Sequence, residues 1–181
     1  MHFLKDRGFI LKRVNFGDSD RYITIFTKNH GKIEVLARGV RKITSRRASS
    51  VELLNLIEFQ SVRSHKNYVL TEVKLLNSFE NLKEGLAQIK KAFLICELIN
   101  AILPSNQKHP DVFILILNTL YSIPKEPRAL PYFQAKLLTL LGFWDQKYAF
   151  KNESHLDQYT EQIIERKLKS RNIFDESPTS A

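Results

Sequence analysis

The sequence predicts an α+β protein in two consecutive parts: a small closed barrel of five β-strands, then an all-helical domain. Three observations lead there. Apolar residues before Asn77 fall in short runs, rich in β-branched and aromatic side chains and separated by turn-forming residues. After Ser78 the apolar period changes to steps of three and four, as on one face of a helix. The charge divides at nearly the same place. Residues 1–75 carry 15 basic and 7 acidic side chains, a difference of +8, whereas residues 76–181 carry 13 and 12, a difference of +1.

The strands follow in order. Gly8 to Val14 is the first apolar run, closed by the polar turn Gly17-Asp18-Ser19-Asp20. Arg21 to Thr27 is the second. Asn29-His30-Gly31 reads as a hairpin connection to the third, Lys32 to Ala37. Val51 to Val62 and Tyr68 to Leu76 complete the set, joined by residues 63–67. Five short strands in so short a segment suit an OB-fold, a five-stranded Greek-key barrel.

The helices are read the same way. Leu82, Leu86, Ile89, Phe93, Cys96 and Leu103 mark one helix, which Pro104 ends. Asp111 to Ser122 forms a second, between Pro110 and Pro124. A third spans Ala129 to Leu141, with Pro131 in its first turn and Gly142 at its end. A more polar helix covers Ser154 to Ser170. The expected domains are therefore 1–77, the barrel, and 78–174, the helical part, with a disordered tail at 175–181.

Composition narrows the class. With 43% hydrophobic and 26% charged residues, the 181-residue chain can bury a core. A net charge of +9 and an isoelectric point near 9.7 point to a polyanionic partner. One cysteine excludes an internal disulfide and the usual four-ligand zinc site. Neither a signal peptide nor a stretch long enough to span a bilayer is found, so a reduced, soluble, cytoplasmic protein is expected.

The sharpest motif is the segment Arg38-Gly39-Val40-Arg41-Lys42-Ile43-Thr44-Ser45-Arg46-Arg47, in which five of ten residues are basic and none is acidic. Its cations suit phosphates, whose condensed counterions are released on binding. Gly39 allows close backbone approach, and Thr44 and Ser45 can donate to phosphate oxygens. The alternative for the segment is a solvated basic loop. Phe9, Phe16, Tyr22, Phe26, Phe59 and Tyr68 are candidates for stacking on bases, weighed against core packing. Alternation places Tyr22, Thr24 and Phe26 on one face and Ile23 and Ile25 on the other, without saying which faces solvent. Catalytic signatures are absent. The five histidines are scattered, Asp18 and Asp20 read as turn chemistry, and Cys96 reads as a buried structural thiol. No enzymatic activity, metal or cofactor is expected.

The order of motifs carries a resemblance. Gly8 to Lys12, Gly17 to Asp20, Ile25 to Thr27, His30 to Lys32 and Ala37 to Lys42 resemble the amino-terminal region of the RecO family of bacterial recombination and repair proteins. Glu72 to Leu76 with Ser78 and Phe79 looks like that family's passage from barrel to helices. Leu137-Leu138 and Leu140 to Phe143 are similar to the helix before its carboxy-terminal module. The match covers about residues 8–143. The resemblance implies a mediator without bond chemistry, in a RecF-type pathway. Such a mediator binds single- and double-stranded DNA, anneals strands, and helps to load RecA onto strands coated by single-strand-binding protein. The partners implied are RecR and the acidic carboxy-terminal tail of single-strand-binding protein. The corresponding DNA contacts here are Lys32, Arg38, Arg41, Lys42 and Arg46, and Arg47 joins them from the basic cluster. Many family members carry four zinc-ligating cysteines after the Leu-Gly-Phe segment; this sequence has none there. About forty residues follow that segment, so a reduced final helical part is expected. Arg128 and Lys136 are the nearest candidates for holding the partner tail. Two other classes stay open on the residues alone: an RNA-binding or ribosome-associated OB protein, and a protein-interaction scaffold.

Overall fold

The first strand, β1 (Phe3–Phe16), begins well before the apolar run that marks it in the sequence. Charged Lys5, Asp6 and Arg7 hide its start from a hydrophobicity reading. Burial nevertheless alternates there, with Leu4, Asp6 and Gly8 buried and Phe3, Lys5 and Arg7 exposed. The computed structural model describes residues 3–64, 67–145 and 147–172. β1 pairs antiparallel with β4 (Leu56–Ser64), from Phe3 opposite Val62 to Phe9 opposite Leu56. A register shift between Ile10 and Lys12 bends β1, and from Gly8 onward it also pairs with β2 (Asp20–Thr27). β2 pairs antiparallel with β3 (Gly31–Ala37), and β3 meets β5 (Asn67–Asn77) in a short parallel contact. β5 returns antiparallel to β4. The closed order β1-β2-β3-β5-β4 is the expected OB barrel.

Two side chains explain its local shape. Asp6, buried at the barrel's end, accepts from the backbone N–H of Asn29 at 3.0 Å and from Asn29 Nδ2 at 2.8 Å, and His30 Nδ1 lies 2.7 Å away. One carboxylate thereby sets the β2–β3 turn. The second is Asn55, which donates its Nδ2 to the carbonyls of Ser49 and Ser50. These bonds, with Leu54 at φ 70°, turn the chain before pairing begins. The expectation of a strand from Val51 is corrected here: Val51 closes a short 3-10 turn (Ser49–Val51), and β4 starts at Leu56.

The barrel answers the question of faces. Ile23, Ile25, Ile33, Val35, Ile57 and Phe59 form its inner core with Val40 and Val51. Tyr22, Thr24 and Phe26 therefore point outward. Phe26 is still fully buried, because Phe113 covers it and Phe9 with ring centroids at 6.2 and 4.9 Å.

The helices are α1 (Glu80–Lys83), α2 (Leu86–Ile102), α3 (Pro110–Ser122), α4 (Ala129–Leu140), α5 (Glu153–Ile164) and α6 (Lys169–Asn172). The single helix expected across Leu82 to Leu103 is interrupted at Glu84 and Gly85, and the glycine has the lowest helix propensity in that stretch. Its buried face is also broader than the spacing implied. Ala92, Leu94, Ile95, Cys96, Leu98 and Ile99 are all buried, because α2 packs against α1, α4, α5 and α6. The last expected helix stops at Ile164, where Glu165 takes the left-handed conformation at φ 54°. Glu97 then receives the next segment: its carboxylate accepts from the N–H groups of Lys169 and Ser170 and from Ser170 Oγ at 2.6–3.0 Å. Residues 175–181, expected to be a tail, lie outside the described residues. The chain divides into two compact units, one of Met1–Phe79 with Leu103–Phe113, the other of Glu80–Ile102 with the chain from Ile114 onward.

Candidate nucleic-acid interface

The basic segment between β3 and β4 is built from successive tight turns. Lys42 N–H donates to Gly39 O, Ser45 N–H to Lys42 O, and Ala48 N–H to Ser45 O, at 2.9–3.3 Å. Each bond reverses the chain after three residues and keeps the loop close to the barrel. Val40, buried in the barrel core, anchors it from below. The β1–β2 turn anchors it from the side: Asp20 Oδ1 accepts from Gly39 N–H at 2.7 Å, and Ser19 O accepts from Arg41 N–H at 2.9 Å. The acidic pair around Ser19 thus includes a structural turn residue, as its local sequence implied.

This scaffold gathers four of the six predicted cations. Arg38, Lys42, Arg46 and Arg47 line one open concavity of about 550 Å³ with Ser19, Asp20, Gly39, Thr44 and Ser45. Asp20 is its one carboxylate, and an oxygen of it is already taken by Gly39. Among the described residues no carboxylate forms an ion pair with Arg38, Lys42 or Arg46, whereas Arg13 and Arg21 on the strands both face Glu52. Cations without internal counterions remain available to an external polyanion.

Arg41 and Arg47 are placed differently. Arg41 Nη1 donates to Gly17 O at 2.9 Å, so its guanidinium lies over the β1–β2 turn, outside the concavity's lining. Arg47 donates to Arg38 O at 2.8 Å and to Leu70 O at 3.3 Å, tying the loop to itself and to β5. Replacing Arg47 by alanine is expected to cost about 1–2 kcal/mol through those bonds. Hydrogen exchange should show faster opening of the Lys42 and Ser45 amides, a change that Arg46→Ala does not produce.

Lys32 lies apart. It is on the outer face of β3 and lines a second concavity, about 440 Å³, with Glu34, Arg63, Asn67, Tyr68, Ser105 and Asn106. Burial, and then the nearby charge of Lys12, hold its pKa below the ordinary lysine value. An anion docked there would favour the charged form and raise that pKa. Of the candidate aromatics, Phe9, Phe26 and Phe59 are buried, Tyr22 and Tyr68 are half-buried, and Phe16 is 51% exposed. Core packing therefore claims three of the six, and position on the outer face leaves Phe16 and Tyr22 open to a ligand.

The helical unit holds a separate groove between α3 and α4. Leu115, Asn118, Thr119, Ser122, Glu126, Arg128, Ala129 and Tyr132 line about 320 Å³ of mostly apolar surface. Arg128 stands at its edge; Lys136, half-buried further along α4, is not part of it. The groove was not legible in the sequence, although Tyr132 beside Arg128 is the kind of pair that marks such sites. After Gly142 the chain is held by aromatic packing. Trp144 stacks on Phe150 at 3.8 Å and meets Tyr159 edge-on at 4.8 Å, and Tyr159 Oη donates to Phe143 O at 2.6 Å. Among the described residues no three His, Cys, Asp or Glu side chains are grouped to hold a metal ion.

Two family models match the chain. The family described as Recombination protein O N terminal matches residues 1–79, and Recombination protein O C terminal matches residues 89–144. Three similar curated proteins are each named DNA repair protein RecO. That of Acetivibrio thermocellus is 32% identical over 147 residues, covering 79% of this chain and 59% of the relative. That of Symbiobacterium thermophilum is 31% identical over 140 residues, covering 75% and 55%. That of Caldicellulosiruptor saccharolyticus is 30% identical over 149 residues, covering 81% and 61%. The chain thus spans about three fifths of the length of the curated relatives it matches.

Proposed function

The chain belongs to the RecO family of DNA repair proteins, and from that premise we propose that its barrel binds single- and double-stranded DNA and anneals complementary strands. The observation that carries this reading is the concavity shared by Arg38, Lys42, Arg46 and Arg47, four cations against the single carboxylate of Asp20. Two strands repel each other through their phosphates. A surface that neutralises both reduces the repulsion and releases counterions without reading sequence, so pairing is left to the bases. Arg41 on the neighbouring turn adds to this positive surface, and Lys32 on β3 adds a cation in the second concavity. No bond is made or broken in such a role, and none of these residues needs to act as acid, base or nucleophile.

The helical unit supplies the second part of the proposal. An acidic peptide ending in apolar residues suits the groove between α3 and α4, with its carboxylates near Arg128 and its apolar side chains against Leu115, Ala129 and Tyr132. Glu126 at the rim limits how many acidic groups it accepts. The acidic tail of single-strand-binding protein, a partner that membership of the family implies, is the proposed occupant. Docking it there would bring the barrel to coated strands, where RecA is to be loaded. RecR is a further proposed partner, and the site of action is the nucleoid. No helix among the described residues is long and apolar enough to cross a membrane.

The test is annealing of complementary strands, naked or precoated with the cognate single-strand-binding protein, with and without that protein's tail. Naked strands should anneal in both cases. Coated strands should anneal only when the tail is present, and Arg128→Glu should remove that dependence by slowing coated annealing about tenfold or more. Failure to anneal naked strands would end the DNA reading. Unchanged coated annealing by Arg128→Glu would end the assignment of the groove.

A further inference from the structure

We propose that Phe16, braced by Tyr22, is a platform on which an unpaired nucleobase stacks, and that it gives the barrel a preference for single over double strands. The inference rests on the DNA-binding reading above and adds the feature of DNA that this surface recognises.

Phe16 ends β1 with half its surface exposed, and its ring belongs to neither the inner core nor the cluster around Phe113. Tyr22 meets it edge-to-face, with ring centroids 5.0 Å apart and planes inclined by 66°. Tyr22 is itself held: its hydroxyl accepts from Asn67 Nδ2 at 3.3 Å, across β3. The pair is therefore a fixed aromatic surface rather than one loose side chain.

Its neighbours are cationic on both sides. The residue after Phe16 is Gly17, whose carbonyl receives Arg41, and Ser19 and Asp20 follow into the concavity of Arg38, Lys42 and Arg46. At the other end, Asn67 lines the concavity that holds Lys32 and Arg63. The two groups of cations, separate as concavities, are thus joined by the strip Phe16–Tyr22–Asn67 along the outer face of one barrel. A strand that puts phosphates against both groups carries its bases over the rings between them. Only an unpaired base offers a free face there, because in a duplex each base is already stacked on both sides.

The experiment measures equilibrium binding of labelled oligothymidylate and of a hairpin duplex of equal length, for the parent chain and for Phe16→Ala, Phe16→Leu and Phe16→Tyr. Leucine keeps the apolar bulk without the aromatic face, so it separates stacking from packing. Alanine and leucine should each lower single-strand affinity about tenfold, a value within the range for loss of one base–aromatic stack. Duplex affinity should stay within about twofold. Tyrosine should bind like the parent. The salt dependence should be the same in all four proteins, since stacking releases no counterions.

Parent-like single-strand binding by Phe16→Leu, or an equal loss on both nucleic acids, overturns the platform. If the parent chain itself binds neither strand, the DNA reading falls first. If it binds both, and reversal of the loop cations weakens both while Phe16→Leu changes nothing, only the platform falls.

Discussion

Reversal of Arg38, Lys42 and Arg46 to glutamate should abolish strand annealing while moving the melting temperature by no more than a few degrees. The three side chains line an open concavity, and none has an ion-pair partner among the described residues, so the fold gains little from them. Exposed substitutions of this kind change stability by about 0.5 kcal/mol or less. Binding should respond far more strongly. Each phosphate left without its cation reduces the slope of log affinity against log salt by about 0.7 for a single strand, so the triple variant should lose about 2 from that slope. Affinity at low salt should fall about a hundredfold or more, and the gap should narrow as salt rises. A titration over several salt concentrations, read beside a thermal melt, checks both halves. Parent-like annealing by a folded triple variant would remove the basic loop from the mechanism. Arg47 is deliberately left in place, since its bonds to Arg38 O and Leu70 O make its loss a matter of loop structure.

The largest loss of stability should come from Gly31→Ala. Gly31 opens β3 at φ +71°, and a Cβ there would lie 2.0 Å from the carbonyl oxygen of Gln107 and 2.8 Å from its nitrogen. The segment around Gln107 lies along β3: Asn106 N–H donates to Lys32 O at 2.9 Å. Backbone therefore faces backbone, with no flexible side chain to yield. The left-handed conformation costs a residue with a Cβ about 1–2 kcal/mol, and the clash adds to it. A loss of about 3 kcal/mol or more is expected, seen as a melting temperature lower by roughly 10 °C. Gly17 provides the comparison. Its φ is +55°, but nothing lies within 4 Å of the added Cβ, so Gly17→Asn should be mild, whereas Gly31→Asn should be as harmful as Gly31→Ala. Equal effects at the two glycines would mean that conformation alone, rather than the approach of Gln107, is decisive.

Much of the fold is readable without the structure. The alternation of Ile23 and Ile25 with Tyr22 and Thr24 is enough for a strand, and the step pattern after Ser78 is enough for helices. The departures share a cause. β1 reads as too short because Asp6 is charged, yet it is buried as the acceptor for Asn29, which pattern alone cannot reveal. The strand expected from Val51 gives way to Asn55, whose bonds to Ser49 and Ser50 outweigh β propensity. Glu97, on a buried helix, is likewise satisfied from afar, by the N–H groups of residues 169 and 170. In each case a polar side chain satisfies backbone groups distant in sequence or in an unexpected turn.

The candidate site divides along the same line. Local sequence by itself determined the kind of surface, since five cations in ten residues without an acid must face solvent or a polyanion. Composition determined the asymmetry between the two parts of the chain. Only the tertiary structure decided which cations act together. Turns every three residues bring Arg38, Lys42, Arg46 and Arg47 around one concavity, hydrogen bonding assigns Arg47 to support, and β3 carries Lys32 to another. Tertiary packing also decided that Phe9 and Phe26 are covered while Phe16 is not, because Phe113 arrives from a distant helix. Charge and period are properties of neighbours along the chain, so they survive in the sequence; burial and convergence depend on which distant segments meet, and only the fold sets that.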